Sequence, residues 1–185
     1  KYLIKAIDDG FSSVMIDASR LDFENNIAMT KEIADYAHAH GASAEGEIGC
    51  LGASEGGEFT GESMYTDPKQ AKEFFERTGI DALAISIGTS HGNYPEGMVP
   101  KFDIERLREI KRLTNALLVL HGGSGSGEEN ILNSVKNGIN KINVGCDFMN
   151  ANRDAAAKLL RENPEITSFD LIHQTEKESV GLVKY

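Results

Sequence analysis

Residues 116–125 read ALLVLHGGSG. Five apolar residues run straight into His121 and then into a glycine-rich turn. A short apolar run bounded by turn residues suits a strand buried on both faces, as in a parallel sheet. The run is too short for a buried helix, and the glycines stop it. His121 is therefore expected at a strand's C-terminal end. The following GGSGSG leaves backbone N–H groups clear of side chains, and EENILNSVKNG reads as a helix start. Exposed N–H groups close to a helix N-terminus make a ready anion or phosphate site. The plainer alternative is an ordinary strand-to-helix turn with a satisfied histidine.

The same strand, turn and helix unit recurs on both sides of this stretch. SSVMIDAS (12–19), ASAEGEIG (42–49), DALAISIG (81–88) and NKINVG (140–145) read as further strands. Helices are predicted over 24–41, 67–79 and 103–114, and after 127, with DFMNANRDAAAKLLREN and a last amphipathic stretch completing the set. Asp67 is placed to cap a helix whose first residue is Pro68. Gly41, Gly79 and Gly138 close helices. Strand centres fall about 24–39 residues apart, against roughly 31 for an eight-fold (β/α) barrel of about 250 residues. The fold class expected is α/β, a (β/α)8 TIM barrel of which this chain supplies about the last five β/α units. The start on KYLIKAIDDG reads as the second half of a helix, so residues 1–185 are expected to be one partial barrel domain, a fragment. The runner-up is a doubly wound open sheet. The barrel is preferred because polar residues cluster at nearly every strand's C-terminal end.

Bulk composition narrows the function classes. The 185 residues carry a net charge of −10, with 40% apolar and 26% charged residues, which is ordinary for a globular domain. No Lys/Arg-rich patch appears, which argues against nucleic acid. Cys50 and Cys146 are the two cysteines and have no CxxC spacing, so a reducing, cytoplasmic setting is expected. No apolar run approaches membrane-spanning length, so no membrane partner is expected.

At the strand ends stand Asp17, Glu45 and Glu47, His91, His121 and Asn143. In a barrel they share the rim where an active site belongs. Two imidazoles converging from neighbouring strands suit a divalent transition metal, although a catalytic zinc normally takes three protein ligands. Glu45 and Glu47 share a face of their strand by its two-residue period. One of them is open to a plainer reading as an interior hydrogen-bond partner. Asp17 reads either as a buried structural acid or as a support for a metal ligand. Lys141 is the one lysine in a predicted strand, and it is expected at the N-terminal end of that strand.

In order along the chain, VMIDAS, ENNIAMTKEI, EGEIGCLG, YTDP, DALAISIGTSHGNY, LVLHGGSG and KINVG together resemble the class II, metal-dependent ketose-bisphosphate aldolases of the fructose- and tagatose-bisphosphate type. The resemblance implies zinc, or another divalent transition metal, held by His91 and His121 with Glu47 beside it. It implies that Gly92, Gly122 and Ser124, and further along Gly145, Cys146 and Asp147, serve a substrate phosphate. Asn143 would hold the enediolate of dihydroxyacetone phosphate, and Glu55, on the long loop 50–66, would be the acid/base. The substrate implied is a phosphorylated sugar, and relatives are commonly dimers or tetramers.

Three departures from the family pattern stand out. The third histidine ligand and the catalytic aspartate belong to a segment resembling HLDHG that this chain does not contain. Gly145 stands where fructose-type members often carry an aspartate, leaving the sugar open. SHGNYPEG lacks the phosphate-binding lysine often found after SHG. The competing expectations are a metal-free phosphate-binding barrel isomerase or synthase, and a non-catalytic remnant.

Overall fold

The computed structural model describes residues 1–49, 52–53, 65–92 and 94–183. The chain divides into two compact units, residues 1–143 and 144–185. In the first, α1 (Tyr2–Asp8) leads into β1 (Ser13–Ile16), α2 (Phe23–Ala39), β2 (Ser43–Ile48) and the two-residue β3 (Gly52–Ala53). Then follow α3 (Pro68–Thr78), β4 (Ala82–Ile85), the two-residue β5 (Ser90–His91) and α4 (Ile104–Thr114). β6 (Leu117–Leu120), α5 (Glu128–Lys136) and β7 (Ile139–Ile142) complete the unit.

Five strands form one sheet in the order β1-β2-β4-β6-β7, with every neighbouring pair parallel. Strand order follows chain order, and a helix separates each strand from the next. This is the arc of a barrel built from successive β/α units, as the repeat predicts. A doubly wound sheet would reverse direction at a switch point, and this order does not. β3 and β5, a small parallel pair of their own, are additions the strand periodicity does not predict.

The two faces of the sheet differ in kind. Toward the helices stand Val14, Ile16, Ala44, Ile48, Leu83, Ile85, Leu118, Leu120 and Ile139, which form the apolar core with Ala34, Ala37, Ala71, Phe74, Leu107 and Ile110. The alternate residues make the opposite, concave face. There the register aligns Glu45 with Ala82, and Glu47 with Ala84, Val119 and Lys141 across four strands. Lys141 is the third of four residues in β7 and level with Glu47, not at the strand's N-terminal end as expected. A register shift between Leu118 and Val119 adjusts the alternation of β7 relative to β6.

Local chemistry places the helices. The Asp67 side chain accepts from the backbone N–H groups of Lys69 and Gln70, and Pro68 opens α3. Gly79 closes it at φ 70°. Asp22 caps α2 and Asp103 caps α4. Asn115 takes the left-handed position after α4, at φ 51°, a role the sequence reading leaves unassigned. In the second unit, α6 (Cys146–Glu162) packs on α7 (Ser168–Val183).

Gly46 sets how closely two helices approach β2. A Cβ there would lie 2.8 Å from Thr30 Cγ2, 3.1 Å from Ile80 Cδ1 and 3.3 Å from Phe74 Cε1. Gly46→Ala is therefore expected to destabilise the fold by about 1–3 kcal/mol through overpacking, checked as a lowered urea midpoint at unchanged m.

Candidate active site

His121 follows the last residue of β6, and its side chain is buried, 6% exposed. Two carboxylates from β2 meet it. Glu45 Oε1 accepts a hydrogen bond from His121 Nε2 at 2.9 Å. Glu47 Oε2 stands 3.3 Å from Nδ1, within ion-pair distance, yet among the described residues this buried oxygen has no hydrogen-bond partner. The other oxygen of Glu45, Oε2, accepts from Lys141 Nζ at 2.7 Å. Lys141 is half-exposed, whereas both glutamates are buried. Lys141, Glu45, His121 and Glu47 thus form one continuous polar line on the concave face, drawn from β7, β2 and the end of β6.

The two glutamates titrate in opposite directions. Burial pushes the Glu45 carboxyl up, but hydrogen bonds from His121 and Lys141 outweigh it and hold it below the ordinary glutamate value. Burial also pushes Glu47 up, and nearby Asp17 and Glu45 add like-charge repulsion that His121 only partly offsets; the result is about 7. Asp17 itself is exposed and accepts from the Ser19 backbone N–H at 3.1 Å and the Ser19 hydroxyl at 2.7 Å. The reading of Asp17 as a buried structural acid is corrected: it closes a surface turn and acts on Glu47 through charge.

The turn after His121 explains its glycines. Gly122 adopts φ 67°, and a Cβ there would lie 2.3 Å from the Ser90 carbonyl oxygen. The backbone of β5 therefore lies directly against this turn, and the segment carrying His91 is brought beside His121. His91 pairs through its backbone with Ala53. Gly92 follows at φ 97°. Ser124 is buried, and Ser126 Oγ donates to the Gly122 carbonyl at 3.1 Å. Gly127 caps α5 and gives it no side-chain cap, so the helix's first N–H groups are left for other acceptors.

Asn143 ties β7 to this turn. Its backbone N–H donates to the Leu120 carbonyl at 2.9 Å, and its carbonyl accepts from Gly123 N–H at 3.0 Å. Gly145, Cys146 and Asp147 belong to the second unit, where Gly145 precedes the first turn of α6. Glu55 and Cys50 lie outside the described residues.

Two site residues escaped the sequence reading. The sequence places Lys141 at a strand's N-terminal end, away from the site. Thr66 carries no mark in the sequence, yet its hydroxyl donates to the Ile48 carbonyl at 2.6 Å and accepts from Ser86 N–H at 2.8 Å. It joins the C-terminal ends of β2 and β4. No sequence signal marks such a threonine in a loop beyond its place before the Asp67–Pro68 helix start.

His121 Nδ1 and Glu47 Oε2 fit a metal by geometry as well as by donor type. Two ligand atoms of a tetrahedral zinc, each bonded at about 2.0–2.1 Å, stand roughly 3.4 Å apart. That matches the observed 3.3 Å separation without a hydrogen bond. No group of three His, Cys, Asp or Glu side chains suited to a metal occurs among the described residues.

A parallel β/α arc with two glutamates of β2 on one face, and a buried histidine and a glycine turn at the strands' C-terminal ends, is the build of a barrel that concentrates its chemistry at one end. The chain belongs to the class II fructose-bisphosphate aldolase family, whose model matches residues 1–184. Among solved structures, the YdjI aldolase of Escherichia coli K12 is 34% identical, with a TM-score of 0.74 over 95% of this chain and 58% of its own. A Coccidioides immitis protein assigned as a fructose-1,6-biphosphate aldolase is 31% identical, with a TM-score of 0.79 over 96% of this chain and 62% of its own. The fructose-bisphosphate aldolase Fba of Campylobacter jejuni is 24% identical with a TM-score of 0.77, over 98% of this chain and 63% of its own, a likeness of fold. The chain thus spans about three-fifths of these proteins.

The raised carboxyl of Glu47 has a measurable consequence. Its folded value of about 7 lies above the ordinary 4.5. Its contribution to stability is therefore fully present below the ordinary value and lost as pH rises through about 7. In metal-free protein, Glu47→Gln should gain stability relative to wild type between about pH 5 and pH 8, by an amount on the order of 3 kcal/mol. Urea unfolding across that range reads the difference; a pH-independent difference would mean Glu47 ionises in the fold as freely as in water.

Proposed function

We propose that the protein containing this chain is a metal-dependent aldolase. It would cleave a ketose 1,6-bisphosphate of the fructose or tagatose type, reversibly, to dihydroxyacetone phosphate and glyceraldehyde 3-phosphate. The observation that carries the reading is the buried pair of donors, His121 Nδ1 and Glu47 Oε2, at the rim beside the glycine turn. Class II aldolases are generally metal-dependent, and family membership supports zinc or another divalent transition metal here. His121 and Glu47 would hold it, with His91 as the further ligand that the resemblance implies. Once bound, such a metal supplies Lewis acidity at the substrate's ketone oxygen.

The chain's own groups do the rest. Glu47, its carboxyl pushed up to about 7 by burial and like charge, would give up its proton on binding the metal. Glu45 fixes the ring of His121. Backbone N–H groups around Gly92 and Gly122, with the Ser124 hydroxyl, are assigned to the substrate phosphate, and the resemblance extends that role to Gly145, Cys146 and Asp147. Asn143 is assigned to a substrate oxygen and Glu55 to proton transfer. The same reading carries a cytoplasmic enzyme working as a dimer or tetramer. No described helix is long and apolar enough to cross a membrane.

Aldol cleavage needs an electron sink at the ketone carbon, either a metal or a lysine Schiff base. Lys141 reaches the concave face, but Glu45 occupies its Nζ. Among the described residues Glu47 Oε2 has no hydrogen-bond partner, and a metal would give it one.

In the intact enzyme, a chelator should abolish cleavage and zinc should restore it. His91→Ala and His121→Ala should each lose bound metal and activity together. Glu55→Ala should lower kcat by about 10²–10⁴-fold at unchanged metal content, as loss of a general acid–base does. Trapping of substrate on a lysine by borohydride, with full activity in chelator, would overturn the assignment.

A further inference from the structure

Glu45 divides its two oxygens between two partners on different strands. Oε1 takes the hydrogen of His121 Nε2 and Oε2 takes Lys141 Nζ. A carboxylate bound at both oxygens cannot rotate without breaking a bond. It accepts and does not donate, so Nε2 of the ring carries the hydrogen, and in neutral imidazole the lone pair is then on Nδ1. Nδ1 is the nitrogen that faces Glu47.

We propose, resting on the metal-dependent reading above, that Glu45 and Lys141 are positioning residues. They set the tautomer and ring orientation of His121 so that Nδ1 is presented as the ligand atom. A purely structural role explains the arrangement poorly. The neighbouring positions on the same face, Ala82, Ala84 and Val119, are small and apolar, so an apolar residue at position 45 would suit the surroundings. A buried ion pair is often no better for stability than an apolar replacement, and the half-exposed end at Lys141 adds little. What the line uniquely supplies is direction. A carboxylate behind a ligating histidine fixes its ring and raises its basicity.

The test uses the intact protein stripped of metal, with Co²⁺ as the probe of affinity and of coordination through its visible absorption. Glu45→Gln should weaken Co²⁺ binding by about 10–100-fold and alter the visible band. Lys141→Met should shift both in the same direction. Lys141→Arg keeps a charged donor to the carboxylate and should return affinity to within about threefold of wild type. If Glu45→Gln fails to fold, the half-exposed Lys141 carries the test alone, since Lys141→Met leaves the buried residues in place. Wild-type affinity and spectrum in Lys141→Met and in any folded Glu45→Gln, while His121→Ala loses the metal, would overturn the positioning role and leave the metal-dependent reading standing. A wild-type protein that takes up no Co²⁺ would bring down both.

Discussion

An imidazole buried between two carboxylates is the constraint around which the first unit is arranged. His121, Glu45 and Glu47 are nearly inaccessible to water. A buried carboxylate is costly unless it is paired and hydrogen-bonded. Glu45 meets that condition twice over, through His121 and Lys141. Glu47 does not, and its carboxyl rises to about 7 in consequence. Adjacent residues of one face, separated by a single glycine, are thereby given different chemistry by their partners alone.

That difference depends on the two-faced character of the sheet. Its helix-facing side is a continuous apolar layer that needs close packing. Gly46 serves that side, letting Thr30, Ile80 and Phe74 close over β2, while the residues flanking it project to the other. The concave side carries the polar line and the small residues that make room for it. Stability and chemistry therefore alternate along β2 with the period of the strand, and a one-residue slip would exchange them.

Beyond the sheet, the site is closed by close approaches of backbone. Gly122 lets the turn after His121 press against Ser90. Asn143, next after β7, bonds by its backbone to Leu120 at the end of β6 and to Gly123 of the turn, and Thr66 joins β2 to β4. These contacts set the spacing between strand ends from which the functional side chains project. The chain belongs to the class II fructose-bisphosphate aldolase family, and these contacts bring the His121 ring and the glycine turn to the same end of the sheet.

Sequence alone determined the succession of β/α units, because apolar strand runs, Asp67–Pro68 and the helix-ending glycines act locally, within a few residues of where they stand. It also marked His121 and the glycine turn, since a histidine between a buried strand and GGSG is unusual wherever it occurs. The pairing of Glu45 and Glu47 on one face followed from the strand period. Which glutamate does what was not legible, because it depends on Lys141, 96 residues further along, and on a ring from a third segment. Lys141 read as peripheral because its height in the sheet is set by the register of β7 on β6, including a shift at Leu118 and Val119. Register and burial are properties of strands already side by side. Only the tertiary structure, by bringing β2, β6 and β7 to one concave face, decided which carboxylate is held ionised and which is poised near neutrality.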